Sequence, residues 1–231
     1  HVYGNPCAVE SFDSLSSKYN VKVIYDAAHA FGVRYGEKSL LSYGDASTLS
    51  FNATKVFHTI EGGAIIFKET EVYEKAKQLI NFSIDSNGTP TGAGINAKLN
   101  EYQCAVGLTL LDNIDSILDH RRRIFNEYTR LLESSVELPK WNENTSLTNG
   151  SYFPIILENE LEKNRIKALL DGHDIPCREY FSPSLNMIFK PEDVCPISQS
   201  IASRILCLPL HFYLTLDEVR HIPSVIKEAR K

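Results

Sequence analysis

Short apolar stretches alternate with amphipathic ones along the first half of the chain. Val21–Ala28 is a compact run rich in β-branched residues, and continuous apolar runs of this kind are typical of parallel strands buried on both faces. Two further strands are predicted at Ser47–Phe51 and at Ala64–Phe67, which a glycine pair precedes. The other segments of this half are predicted to be helices at Ser11–Tyr19 and Glu69–Leu79 and an exposed loop at 83–94.

The pattern changes after Asn100. Apolar residues recur at helical spacing over Tyr102–Leu132, which is too long for one ordinary helix and predicts two helices or one bent helix. The basic run Arg121–Arg123 within it is interpreted as a solvated helix face. The elements predicted beyond it are strands at Tyr152–Leu157 and Cys177–Phe181 and helices at Glu160–Leu170, Ile197–Ile205 and Leu216–Ala229. We therefore expect an α/β protein with two parts, residues 1–112 and a smaller α+β domain of residues 113–231.

Composition and charge exclude several classes of protein. The 231 residues carry a formal net charge of −5, so we expect no nucleic-acid partner, because such proteins need a basic surface. No apolar run approaches the roughly 18 residues of a membrane span, and the first residues lack the basic and apolar regions of a signal peptide. The five cysteines include no Cys-x-x-Cys pair, so we expect no disulfide framework and no zinc site, and a reducing cytoplasm fits best.

Three residues are candidates for chemistry. Asp26 ends an apolar strand, where the ligands of α/β sheets gather, although a carboxylate there can equally be a helix cap or a turn residue. His29 is by itself more often structural, and Asp26-x-x-His29 alone does not fill the coordination sphere of a metal. Lys55 stands among small hydroxyl and amide residues between a strand and the Gly62–Gly63 turn. A partly desolvated lysine in such a place can lose its proton and attack a carbonyl.

Several segments occur in an order that a known family shares. They are HVYGNPC, YDAAHAFG, GDASTLSFNATKVF, EGGAIIF and GINAKLNEYQCAVGL, followed more weakly by RRRIFNEYTRLL, REYFSPSL and CLPL. Together they resemble the DegT/DnrJ/EryC1/StrS family of nucleotide-sugar aminotransferases. The resemblance implies the aspartate-aminotransferase-like fold type I, with pyridoxal 5′-phosphate (PLP) as the cofactor. Residues 1–112 would then be the C-terminal part of the large PLP-binding domain, and residues 113–231 the small C-terminal domain.

Carried over residue by residue, the resemblance assigns five residues to the cofactor site. Lys55 resembles the catalytic lysine that forms a Schiff base with the cofactor, and Asp26 resembles the carboxylate that pairs with the pyridine nitrogen. His29 takes the place where the family has Gln or His near the cofactor's phenolic oxygen. Ser50 resembles the hydroxyl that binds the cofactor's phosphate. Asn96 resembles the asparagine that reaches the phosphate of the neighbouring subunit's cofactor, which implies a homodimer.

The function implied by these assignments is transamination. An amino acid, glutamate by resemblance to the family, would donate its amino group to a keto-deoxy sugar that is linked to a nucleotide. The segments HVYGNPC, KVFHTIEGG and REYFSPSL resemble the subgroup that makes amino-dideoxy sugars for surface polysaccharides such as lipopolysaccharide. This likeness favours dTDP as the nucleotide and leaves the particular sugar and the ring position open.

Two other functions stay open. A PLP-dependent sugar dehydratase replaces the Schiff-base lysine, typically by His; the presence of Lys55 counts against it, and His58 is more often a loop residue. The other alternative is an inactive fragment that serves as a folding or dimerisation module. The chain begins at His1 without an initiator Met, so we expect it to be part of a longer protein. Because the family's N-terminal phosphate-binding turn is not visible here, we expect this chain alone to bind PLP weakly.

Overall fold

The structure of the chain is a computed structural model that describes residues 1–190, 192 and 194–229. Its helices and strands, in chain order, are α1 (Val9–Tyr19), β1 (Ile24–Asp26), β2 (Arg34–Tyr35), β3 (Lys38–Ser39), β4 (Ala46–Ser50), β5 (Gly63–Phe67), α2 (Thr70–Leu79), α3 (Glu101–Leu111), α4 (Ile114–Leu132), β6 (Thr145–Leu147), β7 (Phe153–Ile156), α5 (Glu160–Gly172), α6 (Leu185–Phe189), α7 (Pro196–Arg204), β8 (Ile205–Leu208) and α8 (Leu216–Ala229). None of the helices in the described ranges is long and apolar enough to cross a membrane.

The chain divides into two compact units. The first comprises His1–Leu118 together with Trp141–Asn149, and the second comprises Asp119–Lys140 together with the residues from Gly150 onward. The sequence places the boundary between residues 112 and 113, which is the break between α3 and α4, whereas the first unit of the structure runs on into α4. The first unit also takes up β6, which pairs with β2 in a small sheet of order β3-β2-β6.

Three strands of the first unit form the sheet that carries the site, in the order β1-β4-β5. β1 pairs with β4 in parallel, with Asp26 opposite Thr48, and β4 pairs with β5 in antiparallel fashion, with Ser50 opposite Gly63. The carboxyl ends of β1 and β4 therefore lie at one edge, where β5 begins. A Cβ on Gly63 would lie 2.7 Å from the carbonyl oxygen of Leu49, so this tight strand entry requires glycine.

The strand predicted at Val21–Ala28 is confirmed as parallel, but it is shorter than predicted. β1 covers three residues, and Ile24 is 67% exposed whereas Tyr25 is 4% exposed. The face that bears Ala27 and Leu49 packs on an apolar core, while the opposite face is open. In the described chain the exposure of this strand therefore alternates from one residue to the next.

The other elements predicted in the first unit are confirmed with small shifts. α1 begins at Val9, two residues earlier than predicted, because this side chain is buried in the core. Tyr102–Leu132 forms the two helices α3 and α4, and a capping box of Asn100 and Gln103 begins the first of them. The loop at 83–94 is exposed from residue 86 onward, whereas Ser83 is buried and Ile84 and Asp85 are half-buried. β2, β3 and β6 escaped prediction because strands of two or three residues leave no periodic pattern.

The second unit is built on β7 and β8, which pair in antiparallel fashion and are buried at every position. Helices α4, α5 and α8 contribute to the same core. The helix predicted at Ile197–Ile205 ends at Arg204, and the next four residues form β8. A continuously buried strand and a buried helix look alike in a short apolar run, which explains why β8 was not predicted. α5 and α8 are confirmed at the predicted positions.

Two predictions for the second unit were wrong. The strand expected at Cys177–Phe181 is reduced to one bridge between Arg178 and Cys207, because the chain enters a turn at Tyr180. Arg121 is buried rather than solvated. Its guanidinium donates to the carbonyls of residues 150 and 151, at 3.1 Å each, and burial lowers its pKa to about 10. It lies on the same face of α4 as Ile124, a position that a charge run does not disclose.

Candidate active site

Asp26 is the last residue of β1, at the edge where the carboxyl ends of β1 and β4 meet. Its Oδ1 accepts a hydrogen bond from the N–H of Ala28 at 3.0 Å, so the side chain forms the turn after the strand. The sequence left open whether Asp26 is a turn residue or binds a ligand. The structure shows the first role and does not oppose the second, because an exposed carboxylate can accept several hydrogen bonds at once.

Lys55 is held by a turn that follows β4. Its N–H donates to the carbonyl of Asn52 at 2.9 Å, and the Asn52 side chain donates to the carboxylate of Glu61 at 2.8 Å. Val56 and Phe57, which follow Lys55 directly, are buried. The turn is therefore fixed by the hydrogen bonds of Asn52 before Lys55 and by the buried side chains of Val56 and Phe57 after it.

The electrostatic environment of Lys55 differs from that of a surface lysine. Partial burial lowers the pKa of its amine, and the carboxylate of Asp26 acts more weakly in the opposite direction. The two side chains, from different strand ends, are thus near enough to influence each other. A lowered pKa enlarges the fraction of neutral amine, which is the nucleophilic form.

His29 lies in the turn after β1 and is buried, with 8% of its surface exposed. Burial, followed by the positive charge of Lys55, lowers the pKa of the imidazole to about 4, although Asp26 acts in the opposite direction. The ring is therefore neutral at physiological pH. Asp26, His29 and Lys55 together place a carboxylate, a neutral imidazole and a partly desolvated amine at one edge of the sheet.

Ser50 ends β4, two residues beyond Thr48. Since residues two apart in a strand share a face and Thr48 is opposite Asp26, the side chains of Ser50 and Asp26 lie on the same face of the sheet. The Ser50 hydroxyl oxygen accepts a hydrogen bond from the N–H of Asn52 at 3.3 Å. Ser50 thereby joins the site edge to the turn that carries Lys55.

Asn96 is the one predicted site residue that the described chain does not bring to this edge. It lies in the exposed loop before α3, where its backbone pairs with that of Asn81. Its predicted role in a neighbouring subunit's site stays a prediction.

Two residues that support the site were missed from the sequence. The backbone N–H of Tyr3 donates to Nδ1 of His29 at 3.0 Å. The side chain of Asn149, which is fully buried, donates to the carbonyls of His29 and Phe31, each at 2.8 Å. Both contacts join segments that are distant in the sequence, so no spacing pattern could indicate them. The backbone donor of Tyr3 is also independent of the residue type.

Several known proteins are similar to this chain in sequence and in fold. The family model described as the DegT/DnrJ/EryC1/StrS aminotransferase family matches residues 1–227. Two curated relatives, both named dTDP-4-amino-4,6-dideoxy-D-glucose transaminase, are similar to the chain. The one from Shigella dysenteriae is 38% identical over 241 residues, and the one from Escherichia coli is 34% identical over 238 residues. These matches cover 100% and 98% of the chain but 65% and 64% of the relatives, so the chain spans about two thirds of their length.

A solved structure shows the same fold. It is described as DesI in the presence of its TDP-sugar product, and it superimposes with a TM-score of 0.88 at 27% identity. The match covers 99% of this chain and 60% of DesI. The likeness confirms the predicted fold class, the α/β fold type I of PLP-dependent aminotransferases.

Proposed function

This chain belongs to the DegT/DnrJ/EryC1/StrS aminotransferase family, and we propose that the protein is a PLP-dependent aminotransferase that acts on a nucleotide-linked sugar. An amino acid, glutamate in our proposal, gives up its amino group, and the keto group of a dTDP-linked deoxy sugar receives it. The single observation that carries the proposal is the half-buried amine of Lys55, in the turn at the sheet edge where Asp26 and His29 also lie. This combination supplies a nucleophile for an aldehyde and a carboxylate for a cationic ring.

The residues at the sheet edge fit PLP in their chemistry. The amine of Lys55 can hold the aldehyde carbon, and the exposed carboxylate of Asp26 can hold a proton on the ring nitrogen. When bound, PLP supplies a protonated ring that accepts the electron pair left behind as a proton leaves the substrate carbon. The hydroxyl of Ser50, on the face that also bears Asp26, is the proposed contact to the phosphate.

Lys55 has a second task in this proposal. Its amine, when free, would accept a proton from the substrate carbon and return it, and the lowered pKa suits this transfer. A proton carrier works best when its pKa lies near the working pH, so the burial that makes Lys55 a nucleophile also suits it to this transfer. The presence of Lys55 also favours transamination over dehydration, the function of relatives that lack this lysine.

The proposed sugar and nucleotide rest on the names of the relatives. Both curated relatives act, by name, on a dTDP-linked 4,6-dideoxy sugar, and they are 38% and 34% identical to this chain. We therefore place the new amino group at the C4 position of such a sugar. The proposed assembly is a homodimer in which the exposed loop carries Asn96 to the partner's phosphate site.

The experiment that tests this function follows the nitrogen atom. The full-length protein with PLP is incubated with ¹⁵N-glutamate and a dTDP-linked 4-keto-6-deoxy sugar. The mass of the sugar product is then measured by mass spectrometry. We expect a dTDP-amino sugar that carries ¹⁵N. A product that has lost water and gained no nitrogen would instead identify a dehydratase. Lys68→Ala, a lysine of the same unit outside the site, is the control variant and should retain the transfer.

A further inference from the structure

His29 is held by groups from two distant segments, a main-chain amide and an asparagine side chain. The N–H of Tyr3 donates to Nδ1 of His29 at 3.0 Å, in a buried contact, and the Tyr3 ring lies nearly parallel to the imidazole at a centroid distance of 6.4 Å. The side chain of Asn149 fixes the backbone on either side by donating to the carbonyls of His29 and Phe31. Turning the ring over would therefore break the buried hydrogen bond to Tyr3, and moving its backbone would break those to Asn149.

This geometry determines where the proton of His29 resides. A backbone N–H can only donate, so Nδ1 must accept with its lone pair. A neutral imidazole has one bare nitrogen and one that carries hydrogen, and the proton must therefore be on Nε2. Protonation of Nδ1 would bring two N–H groups face to face and would cost the contact to Tyr3.

We propose that the backbone amide of Tyr3 fixes His29 as the neutral tautomer protonated at Nε2, so that His29 acts toward PLP as a hydrogen-bond donor to the phenolic oxygen and never as an acid or a base. The identity of the acceptor rests on the function proposed above. The tautomer rests on the Tyr3 contact alone. Tyr3 is in this account a positioning residue, and its main chain does the positioning.

The surroundings of His29 also favour its neutral form. Burial and the cation of Lys55 disfavour the imidazolium, whereas the carboxylate of Asp26 favours it. The resulting pKa is about 4, so His29 stays uncharged throughout the range in which an ordinary histidine titrates. A neutral donor keeps its hydrogen bond to an oxygen anion at every pH in that range.

The turn at Val2–Gly4 has a conformation that suits this task. Tyr3 has φ +60 and Gly4 has φ +84, so the chain passes through two left-handed residues in succession. A Cβ on Gly4 would lie 3.0 Å from both the carbonyl oxygen of His29 and Oδ1 of Asn149. Glycine at this position allows the turn to approach closely enough for the amide of Tyr3 to reach the imidazole.

Nitrogen NMR of the full-length protein labelled with ¹⁵N-histidine tests the tautomer directly, both with and without PLP. We expect His29 to show a bare Nδ1 and a protonated Nε2 from about pH 5.5 to about pH 8, with no titration in that interval. Gly4→Ala should displace the turn and raise the titration midpoint of His29 by about one pH unit or more, toward the ordinary value. A protonated Nδ1, or a midpoint near that ordinary value in the unmodified protein, would overturn the proposal.

Two substitutions test the donor role on the loaded protein without an activity assay. His29→Gln keeps both an acceptor for Tyr3 and an N–H donor, whereas His29→Leu keeps neither. We expect the pH midpoint of the visible absorption of bound PLP to rise by about one unit in His29→Leu and to change little in His29→Gln. His58→Leu is the matched control, because His58 accepts a long 3.4 Å bond in an exposed contact. Equal midpoints in His29→Leu and the control would refute the donor role, whereas failure to bind PLP at all would refute the proposed function and leave the NMR result to decide the tautomer.

Discussion

At the scale of single residues, the account depends on a lysine that is less solvated than most. A primary amine must be neutral to attack a carbonyl, and the burial of Lys55 shifts its pKa in that direction. The opposing influence of Asp26 is weaker, so the site combines a nearby anion with a nucleophile that can still lose its proton. Substitutions at these two positions separate their roles.

Lys55→Ala should leave the fold intact and lower transamination by about 10⁴-fold or more, because both the nucleophile and the proton carrier are lost. Lys55→Arg should be equally inactive, since a guanidinium stays protonated and cannot form an imine. Turnover is measured with the ¹⁵N assay, and circular dichroism checks the fold. Turnover well above trace level in either variant would remove Lys55 from the chemistry.

Asp26→Asn should lower the rate far more than the affinity for PLP. The amide oxygen of Asn can still accept the bond from Ala28, so the turn survives, but a neutral amide cannot keep the ring nitrogen protonated. We expect kcat to fall by about 10²-fold or more while the Kd for PLP changes by less than about tenfold. Asp13→Asn, on the exposed side of α1, is the matched control. Near-normal kcat in Asp26→Asn would leave Asp26 as a turn residue only.

The sequence predicts the reactive groups of this site better than it predicts their supports. Asp26 and Lys55 stand out because a carboxylate at a strand end and a lysine among hydroxyl residues are unusual in their surroundings. The amide of Tyr3 and the side chain of Asn149 could not be foreseen, because their contacts arise only when remote segments meet. Residue types in the sequence indicate which groups can react, whereas the contacts that orient those groups form only in the folded chain.

At the scale of elements, a buried lysine of α5 joins this helix to the segment that contains Glu179. Lys163 on α5 is 3% exposed, and its amine pairs with the carboxylate of Glu179, which also binds Lys167 at 2.7 Å. The pair holds the segment after Arg178 against α5, in place of the strand predicted there. Both lysines lower the pKa of Glu179. The contribution of the Glu179 carboxylate to stability is therefore fully present above the ordinary glutamate pKa. It is lost as the pH falls through the lowered pKa of the folded state.

Glu179→Gln should destabilise the protein by about 2–3 kcal/mol, since it leaves the buried ammonium of Lys163 without an anion. Lys167→Ala removes the more exposed partner of the same carboxylate and should cost less than about 1 kcal/mol. Urea unfolding measures both values at neutral pH. If the two variants were equally stable, the buried Lys163–Glu179 pair would not be what holds this segment to α5.

Predictions of elements from the sequence failed where contacts with distant residues decided the outcome. The apolar run ending in Asp26 gave the correct parallel strand but not its length, because the run does not show where the pairing with β4 stops. Arg121 looked like part of a solvated run, yet its place on the inner face of α4 puts it among main-chain carbonyls. In each case the local sequence pattern was interpreted correctly, but it does not contain the distant residues that the segment contacts in the fold.

At the scale of the whole molecule, the resemblance to the aminotransferase family predicted the fold, and the comparisons confirm both. The assembly is still a proposal. If Asn96 completes the partner's phosphate site, Lys55 and Asn96 of any one site come from different subunits, and two defective subunits can complement each other.

Mixing Lys55→Ala subunits with Asn96→Ala subunits should therefore restore function. In a random mixture half of the dimers combine the two variants, and each of these has one intact site, so about a quarter of the normal activity is expected. Light scattering confirms the dimer, and each variant alone serves as the reference. An activity that stays at the sum of the two separate variants would place Asn96 outside the neighbouring site.

The most direct measurement of the central claim is chemical trapping of the cofactor on its lysine. The full-length protein is loaded with PLP, reduced with borohydride and digested, and the peptides are mapped by mass spectrometry. We predict that one pyridoxyl phosphate group is attached to Lys55, in the turn between β4 and β5, and that the adduct is absent from Lys55→Ala. Stoichiometric attachment to any other lysine, with Lys55 unmodified, would contradict the account.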